Sequence, residues 1–251
     1  MSEINKTDAI VLQKIKYGDT SIIVTLFTKD FGKMSAIAKG GRSPKSKLNS
    51  SIDILNHLQI VFYRKESREV QLISSASIIS HYPNLKGDIE SLKFAQAVVE
   101  LIKNLMAEHE VNQRLFNGIV KIFSLMDEFR ETASILFARF FMFFLSELGY
   151  QLQIEKCSKC GNKELSKNEL SYNYDLGIFC SDCKSTYTES FSISSELFEL
   201  LNCLKSNRTV PRNLYSEVDK AINFMERHLR HHVQDFKGLQ SIKIFNSLAS
   251  N

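Results

Sequence analysis

Cys157 and Cys160, then Cys180 and Cys183, form two Cys-x2-Cys pairs with nineteen residues between them. A thiolate is a soft ligand, and each short pair bends into a knuckle that aims two sulfurs at one ion. Two such pairs at this spacing read as one four-coordinate zinc site. Four sulfurs close the coordination sphere, so the ion is expected to be structural, with no open position at which water becomes a nucleophile. Gly161 and Gly177 fall where the knuckles must turn. Rival chemistries fit less well. A thioredoxin-like redox pair uses a single Cys-x2-Cys, and a zinc deaminase needs His-x-Glu ahead of Pro-Cys-x-x-Cys, which this sequence lacks. Metal binding of this kind contributes on the order of 10 kcal/mol to local folding. Cys203, among Leu200, Leu201 and Leu204, reads as a small buried hydrophobe rather than a fifth ligand.

A second set of residues is cationic. Between Phe31 and Asp53 there is no acidic residue, whereas Lys33, Lys39, Arg42, Lys45 and Lys47 are all present, with Gly40 and Gly41 among them. Lys and Arg neutralise phosphates and release their counterions, and small residues admit a polyanion backbone. The charge is local: residues 1–52 carry nine Lys and Arg against four acids, so of the net +4 the remaining 199 residues contribute about −1. A confined patch attracts a polyanion better than the same charge spread evenly. On composition alone a solvated loop explains the run equally well. Tyr17, Phe31 and Tyr63 have rings that stack on bases in other proteins, but core packing is the commoner fate of strand aromatics, so they are not counted as site residues. His228, His231 and His232, beside Arg227 and Arg230, either extend a positive surface or form an ordinary exposed helical face.

The elements that must position these groups divide by period. From 8 to 81, short β-branched and aromatic runs alternate with Gly, Asp, Asn and Ser, predicting strands at 9–15, 21–28, 33–38, 58–63 and 69–74. Apolar residues on both faces of the second strand predict that neither face is fully wet. Five short strands in this length fit a small closed barrel of the OB type. After Pro83 the period becomes helical: one helix behind Asp88 as N-cap, one around Leu115 to Met126, and one over 133–148 stopped by Gly149. Residues 154–189 lose that period, helix resumes at Ser194, and further helices follow over 215–235 and 241–248. The reading is therefore α+β: an N-terminal OB-fold β-barrel over 1–81, a helical domain over 82–153 and 190–251, and a four-cysteine zinc finger inserted at 154–189.

Hydrophobic content of 43% with 24% charge suits a folded protein rather than a disordered one. The stretch 135–145 is too short to span a bilayer and is interrupted by Arg139. The polar N-terminus has the character of neither a secretory signal nor a transit peptide, which predicts a cytoplasmic protein, where five cysteines favour metal over disulfides.

Taken in order, Ala9-Ile10-Val11-Leu12, Tyr17-Gly18-Asp19, Leu26-Phe27-Thr28, Gly32-Lys33, Lys39-Gly40-Gly41-Arg42 and Lys45-Ser46 resemble the N-terminal signature of the RecO family. The similarity continues through Arg139-Phe140, Leu148-Gly149-Tyr150, the four cysteines and the helices around His228-Leu229 and Ser241, covering nearly the whole chain. The resemblance implies a bacterial, nucleoid-associated protein that is not an enzyme. It implies a mediator that binds single- and double-stranded DNA, anneals complementary strands and, with RecR, helps load RecA onto DNA coated by single-stranded-DNA-binding protein. It implies phosphate contact at Lys39, Arg42, Lys45 and Lys47, with Lys33 behind them, and contact of Arg139 with the acidic tail of single-stranded-DNA-binding protein. Arg139 also reads as a helix-packing or capping cation. At Phe141 the family commonly carries a carboxylate, and this chain departs from it. Two other classes are weighed against this one: a zinc-containing interaction adaptor without annealing activity, and a metallo-hydrolase, the latter disfavoured by the closed sulfur site and the lack of a Walker loop or nucleophile and base pair.

Overall fold

The computed structural model describes residues 3–43, 46, 48, 51–165, 170–183 and 189–249. Five strands, β1 (Glu3–Tyr17), β2 (Ser21–Thr28), β3 (Gly32–Ala38), β4 (His57–Arg64) and β5 (Val70–Ser80), close into a barrel in the order β1-β2-β3-β5-β4. β1 is long enough to pair with both β2 and β4, and only β3 and β5 run parallel. This is the expected OB-fold. Side chains alternate across each strand: Val24 and Leu26, Met34 and Ala36, Leu58, Ile60 and Phe62, and Ile73 turn inward and fill the barrel.

Strand ends differ from expectation for a reason. β1 begins earlier and β5 ends later because their polar extensions are held by pairing, Glu3 opposite Arg64 and Ser80 opposite His57, rather than by burial. A hydrophobic pattern carries no trace of such a ladder. The outer face of β2 follows the expectation: Phe27 is buried against the ring of Phe116, at 6.2 Å, while Ile23 and Thr25 are half-buried.

The helices are α1 (Pro83–Gly87), α2 (Ile89–Leu105), α3 (Gln113–Glu128), α4 (Ala133–Glu147), α5 (Ser195–Lys205), α6 (Val218–His232) and α7 (Gln240–Ala249). Asp88 caps α2 by accepting from Ser91 N–H at 2.9 Å, Asn112 caps α3 through Leu115 N–H at 2.8 Å, and Ser194 caps α5 through Leu197 N–H at 3.2 Å. Three short strands, β6 (Leu170–Asn173), β7 (Gly177–Phe179) and β8 (Phe191–Ile193), form a sheet in the order β7-β6-β8, where the sequence pattern predicted only the loss of helix.

The chain divides into two compact units, residues 1–133 with 239–251, and residues 134–238. In the first, the loop between α2 and α3 lies on β3: His109 N–H donates to Lys33 O at 2.8 Å, and Glu108 pairs with Lys33 along the strand. Gly32 permits this approach. Its φ is +66°, and a Cβ there would stand 2.6 and 2.7 Å from the backbone C and N of Glu110. α7 docks on α2, where Glu100 accepts the first N–H groups of α7 from Gln240 and Ser241, each at 2.8 Å.

In the second unit α4 buries Phe137, Phe141, Phe144 and Leu145. The chain leaves α5 through Asn207, in left-handed backbone, with Asn207 N–H donating to Leu204 O and Arg208 N–H to Cys203 O, the paired bonds of a Schellman turn. Cys203 is buried on this helix, as a hydrophobe would be.

Candidate functional site

The four cysteine sulfurs converge. All four Sγ atoms of Cys157, Cys160, Cys180 and Cys183 lie within 4.8 Å of one another, and Cys160 and Cys180 are 3.8 Å apart. Metal–sulfur bonds of about 2.3 Å in a tetrahedron separate their sulfurs by about 3.8 Å, so the cluster has the size of a metal's coordination shell and no pair is at disulfide length. Backbone bonds build both knuckles: Gly161 N–H donates to Cys157 O at 2.9 Å and Cys183 N–H to Cys180 O at 3.0 Å. The two are then tied through the β6–β7 turn, where Ser158 N–H reaches Ile178 O at 2.8 Å and Ile178 N–H reaches Gln153 O at 3.0 Å. Gly177 allows that crossing, since a Cβ would fall 2.6 Å from the Cβ and O of Gln153.

The electrostatics also fit a cation. Burial acts to raise the Cys157 thiol, but the N–H groups of Cys160, Cys180 and Lys159 aimed at its sulfur outweigh this and bring it down to about 6. Burial and the crowding of the other three sulfurs push Cys183 up to about 12. Cys157 thus ionises readily, whereas Cys180 and Cys183, both raised by burial, give up their protons when a positive charge joins them.

The basic residues do not share one environment. Lys39 and Arg42 are exposed where the chain leaves β3. Arg42 is oriented by the β1–β2 turn: its N–H donates to Thr20 O at 2.8 Å and its guanidinium to Gly18 O at 2.9 Å. The structure therefore brings Tyr17, which is 56% exposed, to the same end of the barrel as Lys39 and Arg42. Lys33 is buried instead. Its Nζ donates to Lys103 O in the last turn of α2 at 2.8 Å and pairs with Glu108 at 3.3 Å. It completes a helix end, a place where a cation is favoured by the helix dipole. Lys45 and Lys47 lie outside the described residues.

Of the three aromatics, Phe31 packs edge-on against Phe62 at 5.2 Å and carries Arg64 over its ring at 5.3 Å, whereas Tyr17 and Tyr63 face outward. Arg139 is half-buried on α4, and its guanidinium bonds the Asn207 side chain and Arg208 O at the end of α5.

One cluster had no clear sequence signal. Tyr172 on β6 is fully buried with Phe224 of α6 at 4.9 Å between ring centres, and Phe191, Tyr174 and His228 close around it. His228 is buried, its Nε2 3.0 Å from Tyr150 O. Burial, then the neighbouring His232, lower its pKa to about 4. His231 meets the Asp175 carboxylate at 2.8 Å and His232 the Tyr174 carbonyl at 3.0 Å, so the histidines dock the cysteine module's turn rather than forming a free positive face. Tyr172 and Tyr174, two residues apart, were the available hint.

No helix among the described residues is long and apolar enough to cross a membrane. A family model described as "Recombination protein O N terminal" matches residues 1–82, and one described as "Recombination protein O C terminal" matches residues 86–238. A DNA repair protein RecO of Chlorobium limicola is 32% identical over 222 residues, 85% of this chain and 84% of the relative. One of Chloroherpeton thalassium is 29% identical over 258 residues, 98% and 99% of the two chains. One of Acetivibrio thermocellus is 25% identical over 218 residues, 86% and 85%.

Proposed function

The chain belongs to the RecO family of DNA repair and recombination proteins, and from that premise we propose that it binds single- and double-stranded DNA and anneals complementary strands. With RecR, it helps to load RecA onto DNA coated by single-stranded-DNA-binding protein. The observation that carries this reading is the exposed pair Lys39 and Arg42 at one end of the OB barrel, with Arg42 oriented by Gly18 and Thr20. OB barrels commonly hold oligonucleotides on their strand faces and loops. Lys45 and Lys47 join them in phosphate contact, and Lys33 stands behind as support. No covalent chemistry is assigned to the protein.

Cys157, Cys160, Cys180 and Cys183 hold one Zn2+, whose part is to fix the β6–β7 module; the donor set is fully sulfur and leaves no position for substrate. Arg139 receives the acidic tail of single-stranded-DNA-binding protein. A guanidinium has five N–H donors, and its bonds to Asn207 and Arg208 hold it in one orientation for a carboxylate. The division into a barrel (1–81), a helical domain (82–153 and 190–251) and a zinc insertion (154–189) belongs to the same reading.

The decisive experiment is strand annealing on DNA precoated with single-stranded-DNA-binding protein. Joint replacement of Lys39, Arg42, Lys45 and Lys47 by Ala is expected to abolish it, and log affinity for single strands should fall against log salt with a slope of about −3. Unchanged annealing would remove the assignment.

A further inference from the structure

We infer that the second unit carries a metal site apart from the four sulfurs: His228 and His232 on α6 form a two-nitrogen seat for a divalent ion of tetragonal preference, Ni2+ or Cu2+. This goes beyond the DNA-binding reading and does not depend on it.

The two residues stand four apart, so one face of α6 carries both, the spacing at which helical histidines share an ion. Each has one nitrogen already committed. His228 Nε2 lies 3.0 Å from Tyr150 O, and His232 Nε2 lies 3.0 Å from Tyr174 O. A carbonyl only accepts, so both Nε2 atoms carry the proton and both Nδ1 atoms keep a lone pair. Metal-bound histidines are held in the same way, the second ring N–H donated to a carbonyl or carboxylate that fixes tautomer and orientation. The Nδ1 of His228 has no other use. It is buried, in a residue 3% exposed, and it has no hydrogen-bond partner. An unsatisfied buried acceptor is costly, and a cation at its lone pair removes that cost. Burial keeps this imidazole neutral, at a pKa of about 4, which is the form that binds a metal. His232 Nδ1 likewise makes no hydrogen bond among the described residues.

The ring spacing selects the ion. A ligating imidazole has its centre about 3.2 Å from the ion, about 2.1 Å of that being the bond. The centres of His228 and His232 are 4.6 Å apart, so two rings sharing one ion at that spacing subtend about 90°. Square-planar and octahedral coordination have this angle, and Ni2+ and Cu2+ favour them with nitrogen ligands, whereas Zn2+ takes the wider tetrahedral angle. Among the described residues no third His, Cys, Asp or Glu converges on the pair, so water fills the remaining positions. His231 is turned instead to the Asp175 carboxylate, at 2.8 Å, and provides an internal control. An ion on the two Nδ1 atoms makes both Nε2–H groups stronger donors. It thereby tightens the hold of α6 on Tyr150 and on the β6–β7 turn.

The test titrates Ni2+ into the full, zinc-loaded chain by isothermal titration calorimetry. Wild type should take up about one Ni2+ per chain and keep its zinc. His232→Gln, which retains an N–H donor for Tyr174 O, should weaken Ni2+ binding by about tenfold or more, as should His228→Phe, whereas His231→Gln should change it by less than about twofold. If His228→Phe does not fold by circular dichroism, His232→Gln and His231→Gln carry the comparison. Bound Ni2+ should show no sulfur-to-metal charge-transfer absorption, and it should raise the unfolding temperature of wild type but not of His232→Gln. No saturable uptake, an unchanged affinity in His232→Gln, a His231→Gln protein as weak as His232→Gln, or a thiolate absorption band would each overturn the inference and leave DNA binding itself standing.

Discussion

Replacing Lys33 by Met separates a structural lysine from a phosphate ligand. The substitution keeps the apolar stem and removes only the ammonium, which bonds Lys103 O at 2.8 Å in the last turn of α2 and meets Glu108 at 3.3 Å. A charged hydrogen bond is worth about 1.5–3 kcal/mol, and a cation at a helix C-terminus about 0.3–1 kcal/mol of overlapping benefit. The ion pair adds little, because Glu108 is 54% exposed and water screens it. A loss of about 2–3 kcal/mol follows, which in a chain of this size lowers the unfolding temperature by about 5–10 °C. Calorimetry and a salt titration of DNA affinity, run on the same preparations, make the assay. Lys33→Met should be destabilised with its salt slope unchanged, whereas Lys39→Ala should keep its stability and lose about 0.7 from the single-strand slope. If Lys33→Met kept its unfolding temperature and lost slope as Lys39→Ala does, the assignment of its ammonium to the helix end would be refuted.

Three further outcomes are expected. Cys180→Ser, or chelation, should release one zinc per chain and unfold the β6–β7 module, removing on the order of 10 kcal/mol of metal binding from its local stability, while the barrel's β signal in circular dichroism persists; retention of stoichiometric zinc in the variant would contradict the four-sulfur site. Gly32→Ala should destabilise by about 3 kcal/mol or more in denaturant titration, because the new Cβ meets the Glu110 backbone and φ is +66°. His228, held near pKa 4 when folded against 6.5 ordinarily, binds its proton more readily unfolded, so the stability it contributes is complete above pH 6.5 and lost as pH falls to about 4. His228→Phe should remove up to about 3 kcal/mol of that pH dependence, and unfolding curves for both proteins across this range check it.

Much of the molecule was legible as local pattern. Cys-x2-Cys spacing specified the sulfur cluster because two residues between ligands already form the knuckle, whatever the rest of the chain does. Strand alternation on β2, the cap Asp88 and the helix start at Ser194 were likewise read from neighbours a few residues apart. What depended on pairing between distant segments was not legible. The cations of residues 32–52 look alike in sequence, yet β3 register turns Lys33 under α2 and leaves Lys39 exposed. Three aromatics looked equivalent, yet Phe31 closes against Phe62 while Tyr63 stands outside. Ile15, Ile23, Ile37, Leu72 and Tyr63 come side by side only because strand register aligns residues that each, alone, read as ordinary strand positions. Residue type and spacing thus determined which chemistry this chain carries, and the strand register, a non-local property, decided which side chains face a partner.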